Sequence, residues 1–191
     1  GYTVDENNSG ILNLNLGNYD IIVICLGSAW YSAYSAAEVS AISNFVSKGG
    51  GLLILGDNAY CPNANINPVS QAFGTTLGLS DISDLPVTNL SSHPIFQGVS
   101  SLFMVAAGEI SGSYPSSEQA WTDAGEAVVT VSESGSGRMV AMGDINLFEN
   151  AYLGNANNQL FAENVFEWLT GPSCDYCLTG EAGYVWCLNI L

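Results

Sequence analysis

Residues 19–58, YDIIVICLGSAWYSAYSAAEVSAISNFVSKGGGLLILGDN, constrain the fold more than any other part of the chain. Residues 21–26 and 52–55 are short unbroken apolar runs, the pattern of parallel strands covered on both faces. Between them Ser35-Ala-Ala-Glu38 predicts a capping box, in which the serine accepts from the Glu38 amide and the carboxylate reaches back. Val39, Ile42, Phe45 and Val46 fall on one helical stripe, and Gly49, Gly50 and Gly51 end it with residues that tolerate positive φ. A parallel βαβ unit forces an α/β layered fold. In such a sheet a ligand sits beyond the carboxyl ends of the strands, here just past Leu26 and Leu55. No obvious catalytic side chain follows either run.

The chain of 191 residues suits one domain with a sizeable core, or one domain plus a short appendage, and its 48% apolar content argues against disorder. We divide it into an α/β domain, residues 1–171, and a cysteine-containing β tail, residues 172–191. Charge is the anomaly, because Lys48 and Arg138 stand against eighteen acids and leave a net charge of −16. Binding phosphates needs basic side chains, so nucleic acid is excluded as a partner and anionic membranes are disfavoured. No apolar run reaches bilayer-spanning length, so membrane insertion is not expected. Asn, Ser, Thr and Gly carry the remaining surface polarity, which points to an extracellular or cell-surface protein. The opening Gly1-Tyr-Thr-Val reads as a mature or trimmed N-terminus.

Further along, residues 2–4 read as the end of a strand and residues 59–68 as a loop rich in Asn and Pro. Residues 69–77 read as a short helix, 82–86 as a connector, 93–98 as a turn and 102–106 as a strand. Residues 127–133 and 138–142 predict a hairpin across Ser134-Gly-Ser-Gly137. Residues 157–169 predict an amphipathic helix with Leu160, Phe161, Val165, Trp168 and Leu169 on one side, closed by Gly171-Pro172.

The ordered pieces NYDIIVICLGS, KGGGLLILGDN, SSHPIFQGV, VAMGDINLFEN and NNQLFAENVFEWLTG, spanning residues 19–171, resemble the class I glutamine-amidotransferase-like superfamily in its extracellular, often non-catalytic branch. The resemblance implies a three-layer α/β/α sandwich with a mostly parallel, flavodoxin-like sheet. Two departures accompany it. The place of the family's nucleophilic cysteine, directly after the strand that follows the first long helix, is held by Gly56-Asp57-Asn58. The catalytic His–Glu pair also has no match, since the only histidine is His93, so glutaminase activity is not carried over and no enzyme is expected. The family's opening strand and helix are missing as well. In a 2-1-3-4-5 sheet that strand is central, so its loss would expose two sheet edges.

Three groups of side chains are candidates for function. Trp30 and Tyr31 follow the first strand, with Tyr34 near them; Asp57, Asn58 and Tyr60 follow the second; Asp144 and Asn146 arrive at the same edge from the late strand. Rings to stack on and carboxylate or amide groups to bond hydroxyls would suit a glycan or a peptide. The alternative is that the rings pack over the end of the sheet while Asp and Asn cap helices. Cys61, His93 and an acid would make a hydrolase's thiol nucleophile and base, but the elbow that activates such a thiol is not encoded. No cofactor or metal is expected: Asp5-x-Asn7-x-Ser9-Gly10 opens like a calcium loop, yet Leu16 stands where the bidentate acid belongs. Asn7 and Asn89 open N-glycosylation patterns.

The five cysteines and the tail complete the reading. Cys25 reads as a small buried hydrophobe, and Cys61, Cys174, Cys177 and Cys187 are disulfide candidates. The tail lacks the four ligands of structural zinc, so a cystine joining Cys174 or Cys177 to Cys187 is the better expectation. Tyr184, Val185, Trp186, Leu188, Ile190 and Leu191 form an apolar, β-prone end that either folds against its own domain or fills the vacant sheet slot of a second copy. Donation between copies builds filaments or large oligomers. The expected function is therefore a non-enzymatic secreted structural subunit that forms a homo-oligomer, with a glycan- or peptide-binding module as the alternative.

Overall fold

The computed structural model describes residues 3–7 and 10–171, together with the backbone of 183–186. It is a mixed α/β fold around one eight-stranded sheet. In chain order the elements are β1 (Thr3–Glu6), β2 (Tyr19–Ile24), α1 (Leu26–Ala29), α2 (Ala36–Ser47), β3 (Gly51–Leu55) and α3 (Asn63–Ser70). Six short or medium strands follow: β4 (Thr75–Leu77), β5 (Leu85–Val87), β6 (Asn89–Leu90), β7 (Leu102–Met104), β8 (Ile110–Gly112) and β9 (Ser116–Trp121). The hairpin β10 (Ala127–Ser134) and β11 (Gly137–Met142), the helix α4 (Asn158–Thr170) and β12 (Gly183–Trp186) complete the chain. The sheet order is β1-β12-β2-β3-β11-β10-β9-β6, parallel from β1 to β11 and antiparallel beyond it.

The unbroken apolar runs are explained by burial on both faces. Ile21 and Val23 of β2, Leu53 and Leu55 of β3, and Val140 and Met142 of β11 pack with Phe161, Val165 and Leu169 of α4. Ile22, Ile24, Leu52, Ile54, Met139 and Ala141 point the other way, into a cluster with Ile42, Phe45 and Val46 of α2. Alternation along each strand thus feeds two cores. The capping box forms as expected, with the Ser35 N–H donating to Glu38 Oε2 at 2.8 Å and the Glu38 N–H donating to Ser35 Oγ at 3.4 Å.

The structure departs from the sequence reading between residues 59 and 77. A helix, α3, occupies part of the expected loop and starts directly after Pro62, while residues 75–77 are a strand rather than the end of a helix. Asn67 joins the two, donating from Nδ2 to the Leu77 carbonyl at 3.0 Å and accepting the Leu77 N–H on Oδ1 at 2.8 Å. Such side-chain-to-backbone bonds are invisible in a local pattern, which reads Asn and Pro as turn formers.

The expected pair of open sheet edges is also absent. β12 lies between β1 and β2 and is parallel to both, with Thr3 opposite Gly183 and Ile21 opposite Tyr184. Among the described residues β1 joins the sheet through β12 alone. Cys174, Cys177, Cys187, Leu188, Ile190 and Leu191 lie outside the described residues, and Tyr184, Val185 and Trp186 are described by their backbone alone. Among the described residues no helix is long and apolar enough to cross a membrane.

Candidate binding edge of the sheet

At the carboxyl ends of β3 and β11 the backbone itself fills the crevice. The Gly56 N–H donates to the Met142 carbonyl at 2.9 Å, and the Gly108 N–H donates to the Gly143 carbonyl at 2.7 Å. Residues 105–108 press so closely here that a Cβ on Gly108 would collide with the Asp57 carbonyl oxygen, and one on Gly143 with the Gly108 carbonyl oxygen. Ala106 takes a left-handed φ of 48° and donates its N–H to Asp84 Oδ1 at 3.0 Å. Ile82 anchors the same segment through the Ala107 carbonyl at 2.8 Å.

Asp57 and Asp144, candidates for ligand contact, are consumed by this closure. Asp144 is fully buried; its Oδ2 accepts the Val105 N–H at 2.8 Å, and its Oδ1 accepts the N–H groups of Asn146 at 2.7 Å and Leu147 at 3.3 Å. Asp57 is buried as well and accepts the Asn58 N–H at 2.7 Å. Its backbone is pinned by Asn63, whose Oδ1 accepts the Asp57 N–H at 3.1 Å. Both carboxylates are engaged with backbone N–H groups, Asp57 with its neighbour Asn58 and Asp144 with Val105 and the turn after β11, and α3 starts after Pro62 without a side-chain cap. Asn58 is similarly engaged, its Oδ1 accepting the Tyr60 N–H at 3.0 Å, and Asn146 is half-buried where the short turn after β11 begins.

Burial sets the electrostatics of this edge. It raises Asp144 to about 7 despite the N–H groups that favour its charge, and the neighbouring Asp57 pushes the same way. Burial also raises Asp57 to about 6, with smaller upward contributions from Glu149 and Asp81. The Cys61 thiol rises to about 11, through burial first and the Asp57 carboxylate second. Cys61 is a free thiol, so its candidacy for a disulfide is corrected: the side chain sits half-buried beside Asp57.

The hydrolase arrangement does not assemble. His93 lies at the other end of the sheet, edge-on to Trp168 at 4.8 Å and within the field of Arg138, the second residue of β11. Its Nδ1 accepts the Ile95 N–H at 3.4 Å, so it caps its own turn. Cys61 therefore has no histidine beside it, and raised to about 11 it stays a thiol at neutral pH.

The aromatic candidates behave differently. Trp30 is 58% exposed, Tyr31 91% and Tyr60 80%, so the rings do not pack over the sheet. Their loops are tied together: the Asn65 side chain donates to the Ala29 carbonyl at 2.7 Å, and the Tyr34 N–H donates to the Asn65 carbonyl at 3.2 Å. Sequence reading missed Leu79, which is 66% exposed beside this surface; Asn63 holds it there by donating to the Gly78 carbonyl at 2.8 Å. An isolated apolar residue between Gly78 and Ser80 carries no periodicity to flag it. Asn89 is exposed on β6 and Asn7 is half-buried. Among the described residues no three His, Cys, Asp or Glu side chains converge as a metal would require.

Fold and edge together define a mixed α/β domain whose sheet-end crevice is closed by its own backbone and flanked by exposed rings. The chain belongs to the family described as Domain of unknown function (DUF4350), whose family model matches residues 23–166. This corrects the amidotransferase resemblance, for no glutamine-amidotransferase family model matches. The shared ingredients, strand, helix and glycine turn in order, follow from a parallel sheet and do not single out that family. A search of curated proteins by sequence finds no match. Among solved structures, the mmIFT52 N-terminal domain is similar at 17% identity and a TM-score of 0.69, over 81% of this chain and 78% of that one. The cytoplasmic protein STM3548 of Salmonella typhimurium is similar at 15% identity and a TM-score of 0.60, over 81% and 73% of the two chains. A β-galactosidase from Bacillus circulans sp. alkalophilus matches over 82% of this chain but 24% of its own, at 11% identity and a TM-score of 0.59. At these identities the likeness is one of fold.

Proposed function

We propose that this domain is a non-catalytic binding module that presents Trp30, Tyr31 and Tyr60 to a partner. The observation that carries the reading is the pairing of a closed crevice with open rings. Residues 105–108 fill the place where an α/β sheet would hold a substrate, and the neighbouring loops leave three large aromatic side chains in solvent. Exposed rings cost hydration free energy and reward a partner that covers them. The layering behind this edge is read as a three-layer α/β/α sandwich of flavodoxin-like type, with α2 and α4 on opposite faces. The Asn- and Ser-rich, strongly acidic surface suits a position outside the cell or at its surface.

The test is a titration of the isotopically labelled chain with a panel of oligosaccharides and peptides, read by NMR. Shifts confined to Trp30, Tyr31, Tyr60 and their neighbours are expected with at least one class of ligand. Shifts elsewhere with none at this edge would overturn the reading.

A second reading, self-assembly by strand exchange, draws on β12. The slot between β1 and β2 is filled by the far end of the chain, so the same slot in a second copy would accept the same strand. Large oligomers of the intact chain in light scattering that are competed away by a synthetic peptide of residues 181–191 would favour it.

A further inference from the structure

The exposed rings share their edge with exposed acids, and the two cations lie at the other end of the sheet. Asp81 is exposed two residues from Leu79, close enough to raise both Asp57 and Cys61. Glu109 is exposed beside it, its N–H donating to Ser80 Oγ at 2.7 Å. Lys48 follows α2 and precedes β3, and Arg138 pairs with Gly51 in register, so both sit at the amino end of β3. A five-residue strand separates the two ends by roughly 15 Å, beyond a Debye length at physiological salt. No basic side chain therefore neutralises the ring-bearing edge.

Asp57 and Asp144 are buried and engaged within the fold, which leaves exposed carboxylates such as Asp81 and Glu109 to set the charge of this edge. The accessible acids are unpaired with cations and flank apolar surface. Ring faces attract cations, and exposed carboxylates set the sign of an approaching partner. We propose that the edge binds a cationic peptide segment, laying lysine or arginine side chains on Trp30, Tyr31 and Tyr60 with their charge met by Asp81 and Glu109. The inference rests on the reading of this edge as a binding surface and adds the chemistry of its partner.

Calorimetry on the full chain tests it with three probes: a synthetic octapeptide carrying four lysines spaced by glycine, its glutamate counterpart, and maltohexaose. The lysine peptide alone is expected to bind, with affinity falling about tenfold between about 50 and about 200 mM salt. The double variant Tyr31→Ala/Tyr60→Ala should weaken it about tenfold, through lost cation–ring contact and ring burial. Asp81→Asn should weaken it a few-fold, whereas Glu163→Gln, the same charge change on the exposed face of α4, should leave it unaltered. Equal binding by the ring-deleted variant would overturn the proposal, since net charge alone would then account for it. Ring-dependent, salt-insensitive binding of maltohexaose would overturn the cationic partner yet keep the edge as a binding surface. Silence from all three probes overturns the cationic partner, and NMR silence across the wider panel removes the edge as well.

Discussion

Asp144 Oδ2 accepts the Val105 N–H at 2.8 Å, so a buried carboxylate from the end of β11 fixes the segment that closes the sheet. The other oxygen binds Asn146 and Leu147, which turns the chain away after the same strand. Asp144→Ala leaves three backbone donors without this acceptor, and we expect a loss of about 2–3 kcal/mol. Chemical denaturation should read that loss, and amide exchange at residues 105–107 should accelerate with it. An unchanged unfolding midpoint would mean that the closure does not depend on this side chain.

Stability should fall as pH rises. Asp57 and Asp144 have folded values of about 6 and about 7, above the ordinary carboxylate value of 3.8. Between these limits the folded protein binds more protons than the unfolded chain, so folding is favoured most below about pH 4 and loses that contribution through pH 6 to 7. Mutual repulsion among eighteen acids acts in the same direction. Urea midpoints measured from pH 4 to 8 should decline, and Asp144→Asn should flatten the upper part of the decline. A midpoint that rises with pH over this range contradicts the assignment.

The helix cap offers an independent check on the fold. Ser35 and Glu38 exchange two backbone hydrogen bonds at the start of α2. Ser35→Ala should cost about 1 kcal/mol, visible as a lower unfolding midpoint without any change at the aromatic edge.

What the sequence disclosed, and what it concealed, divides along physical lines. β2, α2 and β3 were legible because each shows its burial as a local apolar pattern, as did the β10–β11 hairpin and α4. β9 was not, since Ser-Ser-Glu-Gln-Ala-Trp is polar and its strand state depends on pairing with β10. Aromatic residues at the candidate edge could be named from their place after two strands. The roles of Asp57 and Asp144 could not, because whether an acid faces a ligand or caps a loop depends on residues 105–108, far away in sequence. Parallel strands likewise announce themselves but not their order, and nothing local to residues 183–186 marks them as the neighbour of residues 3–6.

Arg138 ties β11 to the end of α4. Its Nη1 donates to the Trp168 carbonyl at 2.7 Å, at the end of α4, while its guanidinium carbon lies 5.3 Å from the Trp168 ring centroid. A planar guanidinium serves both contacts at once, and an ammonium does not. Arg138→Lys should therefore cost about 1 kcal/mol although charge is kept. Thermal unfolding of the variant decides this, and an unchanged transition would show that charge alone is what the site requires.

The seat of β12 makes the firmest demand on the chain as a whole. Among the described residues β1 has no strand neighbour other than β12, and β2 pairs on that side with nothing else, so removing residues 172–191 deprives both strands of that partner. Unpaired backbone on β2 would then face solvent along an apolar strand, the arrangement that favours pairing with another chain. The truncated protein, residues 1–171, should unfold at lower urea and associate in a concentration-dependent way by light scattering. A synthetic peptide of residues 181–191 should reverse both effects by refilling the slot. If the truncated chain stays a monomer with its stability intact, the strand contributes nothing to the sheet. Strand exchange then loses its basis, and the aromatic edge is left as the surface on which function turns.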